Sequence, residues 1–359
     1  MNETPETKSV KLTKQTTHEM PSGVLGIAHG ADEDRLFAAC IDGVYELSLS
    51  DGKHRRLYEH QSYVSSVAYL PTHNTLVSAG YDGALHWFDL ASDTVTRQVD
   101  AHQFWSWNMC ASPDESLIAS ATGQYLAGGE KYEPRPEYEP SVKVYDAKDG
   151  TLLHEFEHVP PVLSVAISPD NQYVAAGNLM GEVRVWDLAR GEQVKQWTTD
   201  AFTSWGIIKS HCYIGGIFAM SFSPDSQELF LAGMGPMRDP MAGNGRQLWQ
   251  RFAWREEVPR LIDQTHEGQS GEGLMETLTF HPEGEVFLMG GRLRGGKWNA
   301  ALFDWQSGER VEVVKSGGRI CDSCFRQNGK QLFLSGCKKQ SSSRDKPKPF
   351  GVVDIFDVG

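Results

Sequence analysis

Short apolar stretches recur along the whole chain, separated by clusters of Gly, Pro, Asp, Asn and Ser. The clearest unit is 168–188, SPDNQYVAAGNLMGEVRVWDL. A Ser-Pro-Asp turn opens it, an apolar run from Tyr173 to Ala176 follows, and Gly177 to Gly181 makes a tight connection. In the next run Val183 and Val185 share one face, Arg184 and Trp186 share the other, and Asp187 closes it. Period-two alternation between turn residues predicts short antiparallel strands. The apolar run Val162 to Ile167 supplies a further strand just ahead. No stretch has the pattern of a helix of ordinary length.

The unit repeats. Prolines in equivalent turns fall at Pro71, Pro113, Pro169, Pro224 and Pro282. Aromatic–Asp closings fall at Phe88-Asp89, Tyr145-Asp146, Trp186-Asp187, Phe303-Asp304 and Phe356-Asp357, with a degenerate one at Leu248-Trp249. With His158 at the repeat start, Ser168-Pro169-Asp170 and the closing Trp186-Asp187, the unit resembles one repeat of the tryptophan–aspartate (WD) repeat family. Seven repeats can be marked, at about 22–59, 60–101, 102–157, 158–201, 202–271, 272–317 and 318–359. Four strands in each predict an all-β chain folded as a single seven-bladed WD-type β-propeller over 1–359. The last repeat ends without an outer strand. The segment 9–17, alternating around Val10 and Leu12, is expected to supply it and so remove an open sheet edge.

In such blades four strands run from the channel outward as a, b, c and d. The d-to-a and b-to-c connections lie on one face. The oversized connections here are mostly b-to-c: 125–140, 234–246, 292–299 and 337–350, with a long d-to-a connection over 199–215. Long loops gathered on one side of a rigid scaffold point to a binding surface. The first of these loops is acidic. The later three carry Arg238, Arg246, Arg292, Arg294, Lys297, Lys338, Lys339, Arg344, Lys346 and Lys348, a basic patch suited to an acidic or phosphorylated segment.

The first residues of the innermost strands border the channel mouth on that face: Gly23, Tyr63, Trp105, Pro161, Gly216, Leu274 and Arg319. The resemblance implies that this ring contacts peptides. Tyr63, Trp105, Trp107, Trp205, Arg238, Arg292, Arg294, Trp298 and Arg319 are therefore the candidate partner-binding residues. Trp107 and Trp205 fit an inter-blade core equally well. The resemblance also implies that a histidine at the repeat start hydrogen-bonds a buried Asp in the b-to-c turn. His60 with Asp82 forms that pair, whereas Met180 occupies the Asp position in the fourth repeat.

Composition narrows the function. The 359 residues carry a net charge of −13, which argues against broad nucleic-acid binding. No apolar run is long enough for a membrane-spanning helix, and the polar first twenty residues lack a signal-peptide core. A cytoplasmic location is expected, with the six cysteines as free thiols. Cys321-x-x-Cys324 is not expected to bind metal, since strand residues three apart point to opposite faces. No cofactor motif or nucleophile elbow is present. A non-catalytic protein- or peptide-binding scaffold is the expected function. A propeller hydrolase or lactonase with converging carboxylates at the channel mouth, and an assembly subunit, are the alternatives.

Overall fold

The computed structural model describes residues 10–124, 136–205, 213–239, 244–293, 297–338 and 349–359. The side chains of 203–205, 213–215, 237–239, 244 and 293 fall outside that description. Seven separate antiparallel sheets stand around a central channel. The innermost strands, blade by blade, are Val24–His29, Val64–Leu70, Ser106–Ala111, Val162–Ile167, Tyr213–Phe222, Gly273–Phe280 and Arg319–Phe325. The outermost strands of the first six blades run from His54–Tyr58 to Arg310–Val314 and are largely exposed, as their mixed polar composition requires. Among the described residues the only helices are two short 3-10 turns, and none is long and apolar enough to cross a membrane.

No single core fills the molecule. Each of seven apolar clusters is sandwiched between two neighbouring blades. Phe37, Val44 and Phe88 pack between blades 1 and 2, and Trp186, Val144 and Val165 between blades 3 and 4. The cluster that closes the ring joins Met20, Leu36 and Tyr45 to Phe333 and Ile355. This follows from alternation. A strand with apolar side chains on both faces is buried only if another sheet covers each face.

Ring closure uses the N-terminal strand. Leu12–Met20 pairs antiparallel with Gly351–Val358, from Leu12 opposite Val358 to Met20 opposite Gly351. Lys14 Nζ lies 2.9 Å from an Asp354 carboxylate oxygen, to which the Thr17 hydroxyl donates at 2.7 Å. The last blade is therefore built from both ends of the described chain.

Blade 5 departs from the four-strand expectation. Part of its long d-to-a connection, Thr203–Trp205, pairs with Tyr213–Gly215 as a fifth strand. The sequence pattern placed this segment in a loop because three residues are too few to show alternation.

Candidate functional site

Every innermost strand contains the same irregularity. The pairing between strands a and b shifts by one residue, so that Leu25, Ser65, Trp107, Leu163 and Phe218 fall at the register shift in blades 1 to 5. Glu276 and Cys321 fall there in blades 6 and 7. A bulge re-aims one side chain per strand. Here those side chains turn into the channel, where all seven line a cavity of about 80 Å³. Each lies two residues after one of the mouth positions marked in the sequence, so the two rings stack along the channel.

The residue after the bulge ties one blade to the next. The Ser66 hydroxyl accepts from Met109 N–H at 3.2 Å, and Asn108 Oδ1 from Val165 N–H at 3.0 Å. The Ser164 hydroxyl donates to Ile217 C=O at 3.0 Å. Asp322 accepts from Ile27 N–H at 2.9 Å across the closing interface, and from the Thr277 hydroxyl at 3.3 Å. Burial raises the Asp322 carboxyl to about 6, against these hydrogen bonds that favour its charged form. In blade 1 the position is Gly26, where a Cβ would lie 3.1 Å from Ser66 Cα. A side chain there would crowd the backbone of the next blade.

The mouth has two unlike arcs. On blades 2 and 3, Tyr81 stacks on Trp105 with centroids 4.8 Å apart and planes 8° from parallel. Tyr81 also faces Trp107 at 5.7 Å, and Phe104 stacks on Trp105 at 4.9 Å. Tyr63 stands outermost at 49% exposure, 5.9 Å from Tyr81. Behind this stack Leu163 and Leu179 pack with Phe104, Trp107 and Phe218. Trp107 therefore both lines the channel and joins the packed layer.

On blades 6 and 7 the mouth is ionic. Arg319 Nε donates to Glu276 at 2.5 Å, and Arg292 lies 3.5 Å from the other carboxylate oxygen. The Glu276 side chain is only 6% exposed, while both guanidinium groups reach solvent. Burial opposes the charge on Arg319, but Glu276 more than offsets it and holds the guanidinium pKa above its ordinary value. Glu276 is the one carboxylate among the described residues lining the cavity.

The remaining candidates divide. Trp298 is a correction: it is 5% exposed and packs edge-on to Phe303, with the Arg310 guanidinium 5.5 Å over its ring. An indole flanked by apolar strands buries more area inward than it would by facing solvent. Arg294 lies outside the described residues, as do most of the acidic loop and residues 339–348 of the last basic loop. Trp205 and Arg238 lie in strands, but their side chains fall outside the description. Lys338 is tied to Glu19 at 3.1 Å. Two acids of the third-repeat loop are structural. Glu137 accepts from His158 N–H and from Ser141, and Glu139 accepts from Gln103 N–H. Tyr81, Leu163, Phe218 and Cys321 were not singled out as channel residues. For Leu163, Phe218 and Cys321 the signal was the two-residue offset from the mouth positions; Tyr81, in the b-to-c turn of blade 2, has no such offset.

His60 forms a buried polar node. Its Nδ1 lies 3.1 Å from both Asp82 carboxylate oxygens, and its Nε2 lies 2.8 Å from the Ser78 hydroxyl, to which Tyr58 also donates. Asp82 further accepts from Gln61 and Ala84 N–H. His86 stacks face to face on His60, with centroids 3.8 Å apart. His60, Asp82 and His86 bring possible metal-donor atoms within 4.8 Å of one another. The two rings are only 14° from parallel, however. Imidazole lone pairs lie in the ring plane, so in this arrangement they do not converge on one ion.

Seven such blades, each with an inner bulge and one closed by the first strand, define a WD-type propeller. Two stretches carry the sequence of the WD-repeat β-propeller family: residues 52–89 and 150–187 match the model described as WD domain, G-beta repeat. Each match runs from the outer strand of one blade through the three inner strands of the next. The sequence repeat thus straddles two blades. The chain is similar to U3 small nucleolar RNA-associated protein 4 homolog of Mus musculus, 25% identical over 207 residues that cover 56% of this chain and 28% of that protein. It is also similar to target of rapamycin complex subunit wat1 of Schizosaccharomyces pombe, 28% identical over 127 residues, covering 34% of this chain and 35% of that one. Protein groucho of Drosophila melanogaster is 24% identical over 169 residues, covering 46% of this chain and 19% of that protein. The alignments span about a third or less of each relative's length.

Proposed function

We propose that the protein is a non-catalytic interaction scaffold that captures a protein or peptide segment across the channel mouth. The observation that carries this reading is the two-arc mouth. Tyr63 and the Tyr81–Trp105 stack offer an apolar anchor, and Arg319 and Arg292 offer solvent-facing guanidinium groups. Aromatic and arginine side chains are those enriched among interface hot spots. Hydrogen bonds from blade to blade hold these groups in place before binding, which lowers the ordering cost of association.

The partner segment combines an apolar side chain with an acidic or phosphorylated group, since Glu276 neutralises only one of the two guanidinium charges. Single-sided ion pairing also disfavours hydrolase chemistry. General acid–base catalysis by carboxylates uses two groups whose environments push their pKa values apart, and Glu276 stands as one carboxylate between two arginines. A relative named as a small nucleolar RNA-associated protein makes RNA the competing partner, although a net charge of −13 opposes phosphate-backbone binding.

The test is quantitative affinity capture with wild-type, Tyr63→Ala/Trp105→Ala and Arg319→Glu proteins, each with and without ribonuclease. Specific partners should be lost from both variants, whose circular dichroism stays that of the wild type. They should survive nuclease treatment. Identical partner sets for all three proteins would remove the mouth as the docking site. Loss of every partner on nuclease treatment would replace the peptide reading by an RNA one.

A further inference from the structure

Blade 7 contributes a thiol to the channel wall, and a second thiol stands beside it. Cys321 is the bulge residue of strand a and lines the cavity. Cys337 ends the neighbouring strand Gln331–Cys337, directly across from Arg319. The bulge brings Cys321 back toward that strand end, and the two thiols lie within hydrogen-bonding reach of each other. Neither residue is fully buried, and neither is in a disulfide. Space for the Cys337 sulfur depends on the next blade: a Cβ on Gly23 would lie 2.5 Å from it. Cys324, three residues from Cys321, packs instead against the apolar cluster between blades 7 and 1.

We propose that Cys321 and Cys337 are a peroxide-sensitive thiol pair that closes reversibly to a disulfide in the channel wall. Cys337 is the attacking thiol. The hydrogen bond from Cys321 and the Arg319 charge favour its thiolate, and its pKa lies below the ordinary thiol value despite burial. The same hydrogen bond and burial push Cys321 well above that value, which makes it the proton-bearing partner. Thiolate reactivity of this kind needs a nearby cation and access, and Cys337 has both.

The chemistry balances with a hydroperoxide as oxidant. The Cys337 thiolate attacks one oxygen, the O–O bond breaks, and the leaving oxygen takes a proton. Cys337 becomes a sulfenic acid. Cys321 then attacks that sulfur, gives up its proton, and expels hydroxide, which leaves as water. Two thiols have lost two electrons to one peroxide. A dithiol reductant restores them by exchange.

Titration of the purified full-length protein with hydrogen peroxide, alkylation of the remaining thiols, and tryptic mass spectrometry without reduction test the pair. The expected product joins peptide 320–326 to peptide 331–338, two hydrogens lighter than their sum, and dithiothreitol reverses it. It persists in Cys324→Ser and is absent from Cys321→Ser, where dimedone labels Cys337 instead. Circular dichroism checks that both variants fold. A cross-link that persists in Cys321→Ser would overturn the proposal. So would oxidation of Cys337 in the wild type that yields a stable dimedone adduct with no cross-link.

Discussion

His86 occupies a costly place. It is 6% exposed, and neither ring nitrogen has a hydrogen-bond partner. Burial, then the neighbouring His60, lowers its pKa from 6.5 to about 4. Burial likewise lowers His102 and His158 to about 3. These three residues bind protons in the unfolded chain but not in the fold, so the stability they contribute is complete above about 6.5 and lost as pH falls toward 4. Asp322 acts in the opposite sense. With its pKa raised to about 6, it keeps a proton in the fold that the unfolded chain releases. Near pH 5 unfolding should therefore take up about two net protons from these four groups, a slope of roughly 2.7 kcal/mol per pH unit. Urea denaturation at pH 7, 6 and 5 measures it, and a flat stability profile would contradict it. His86→Phe should remove about one of those protons. It should also leave the protein at least as stable at pH 7, because an apolar ring replaces an unpaired polar one. Asp82→Ala should be destabilising by about 3 kcal/mol, since it strips acceptors from His60, Gln61 and Ala84 at once; the urea midpoint reads this directly.

A strand can be correctly placed and still hide its function. Alternation marked Val162–Ile167 and its counterparts from sequence, because apolar side chains on a strand repeat every second residue. The bulge inside each is invisible to that pattern. It is a property of how strand a pairs with strand b, and either strand alone remains regular. Hence the mouth positions Tyr63, Trp105 and Arg319 were legible, while Leu163, Phe218 and Cys321 two residues on were not. Trp298 was misplaced for a related reason. A tryptophan in a basic loop looks like a surface anchor until Phe303 and Arg310, on the two strands that follow, are found packed around it. The residues after the bulges carry the links between blades. Asn108→Leu should cost about 1–3 kcal/mol, because Val165 N–H is left buried without its acceptor. The unfolding midpoint in urea gives that loss, and an unchanged midpoint would deny the inter-blade bond a stabilising role.

The ring as a whole depends on its closure. Leu12–Met20 pairs along nearly its full length with Gly351–Val358, and Met20 fills the last inter-blade cluster. Deleting residues 1–20 exposes that edge and removes Met20 from the cluster, and exposed strand edges template association. The truncated chain should elute as oligomer or aggregate in size-exclusion chromatography, whereas a monomer with the wild-type melting temperature would show closure to be dispensable. Tyr63→Ala at the mouth should leave the melting temperature within a few degrees of wild type while weakening partner capture, since Tyr63 is 49% exposed. Arg319→Glu should lower the melting temperature, because a second carboxylate then faces the nearly buried Glu276.

The order of short alternating strands, their turns, the seven repeats and the need for a strand from the other end were all determined by the sequence. Each is a local periodicity or a count, and local periodicity is written residue by residue. Which side chains meet across the channel was decided only by the tertiary structure. Tyr81 and Trp105 belong to different blades, as do Glu276 and Arg319, and Gly23 and Cys337. Their separations along the chain carry no trace of their contact. Packing of each blade against the next brings the first two pairs together, and only closing the ring brings Gly23 to Cys337.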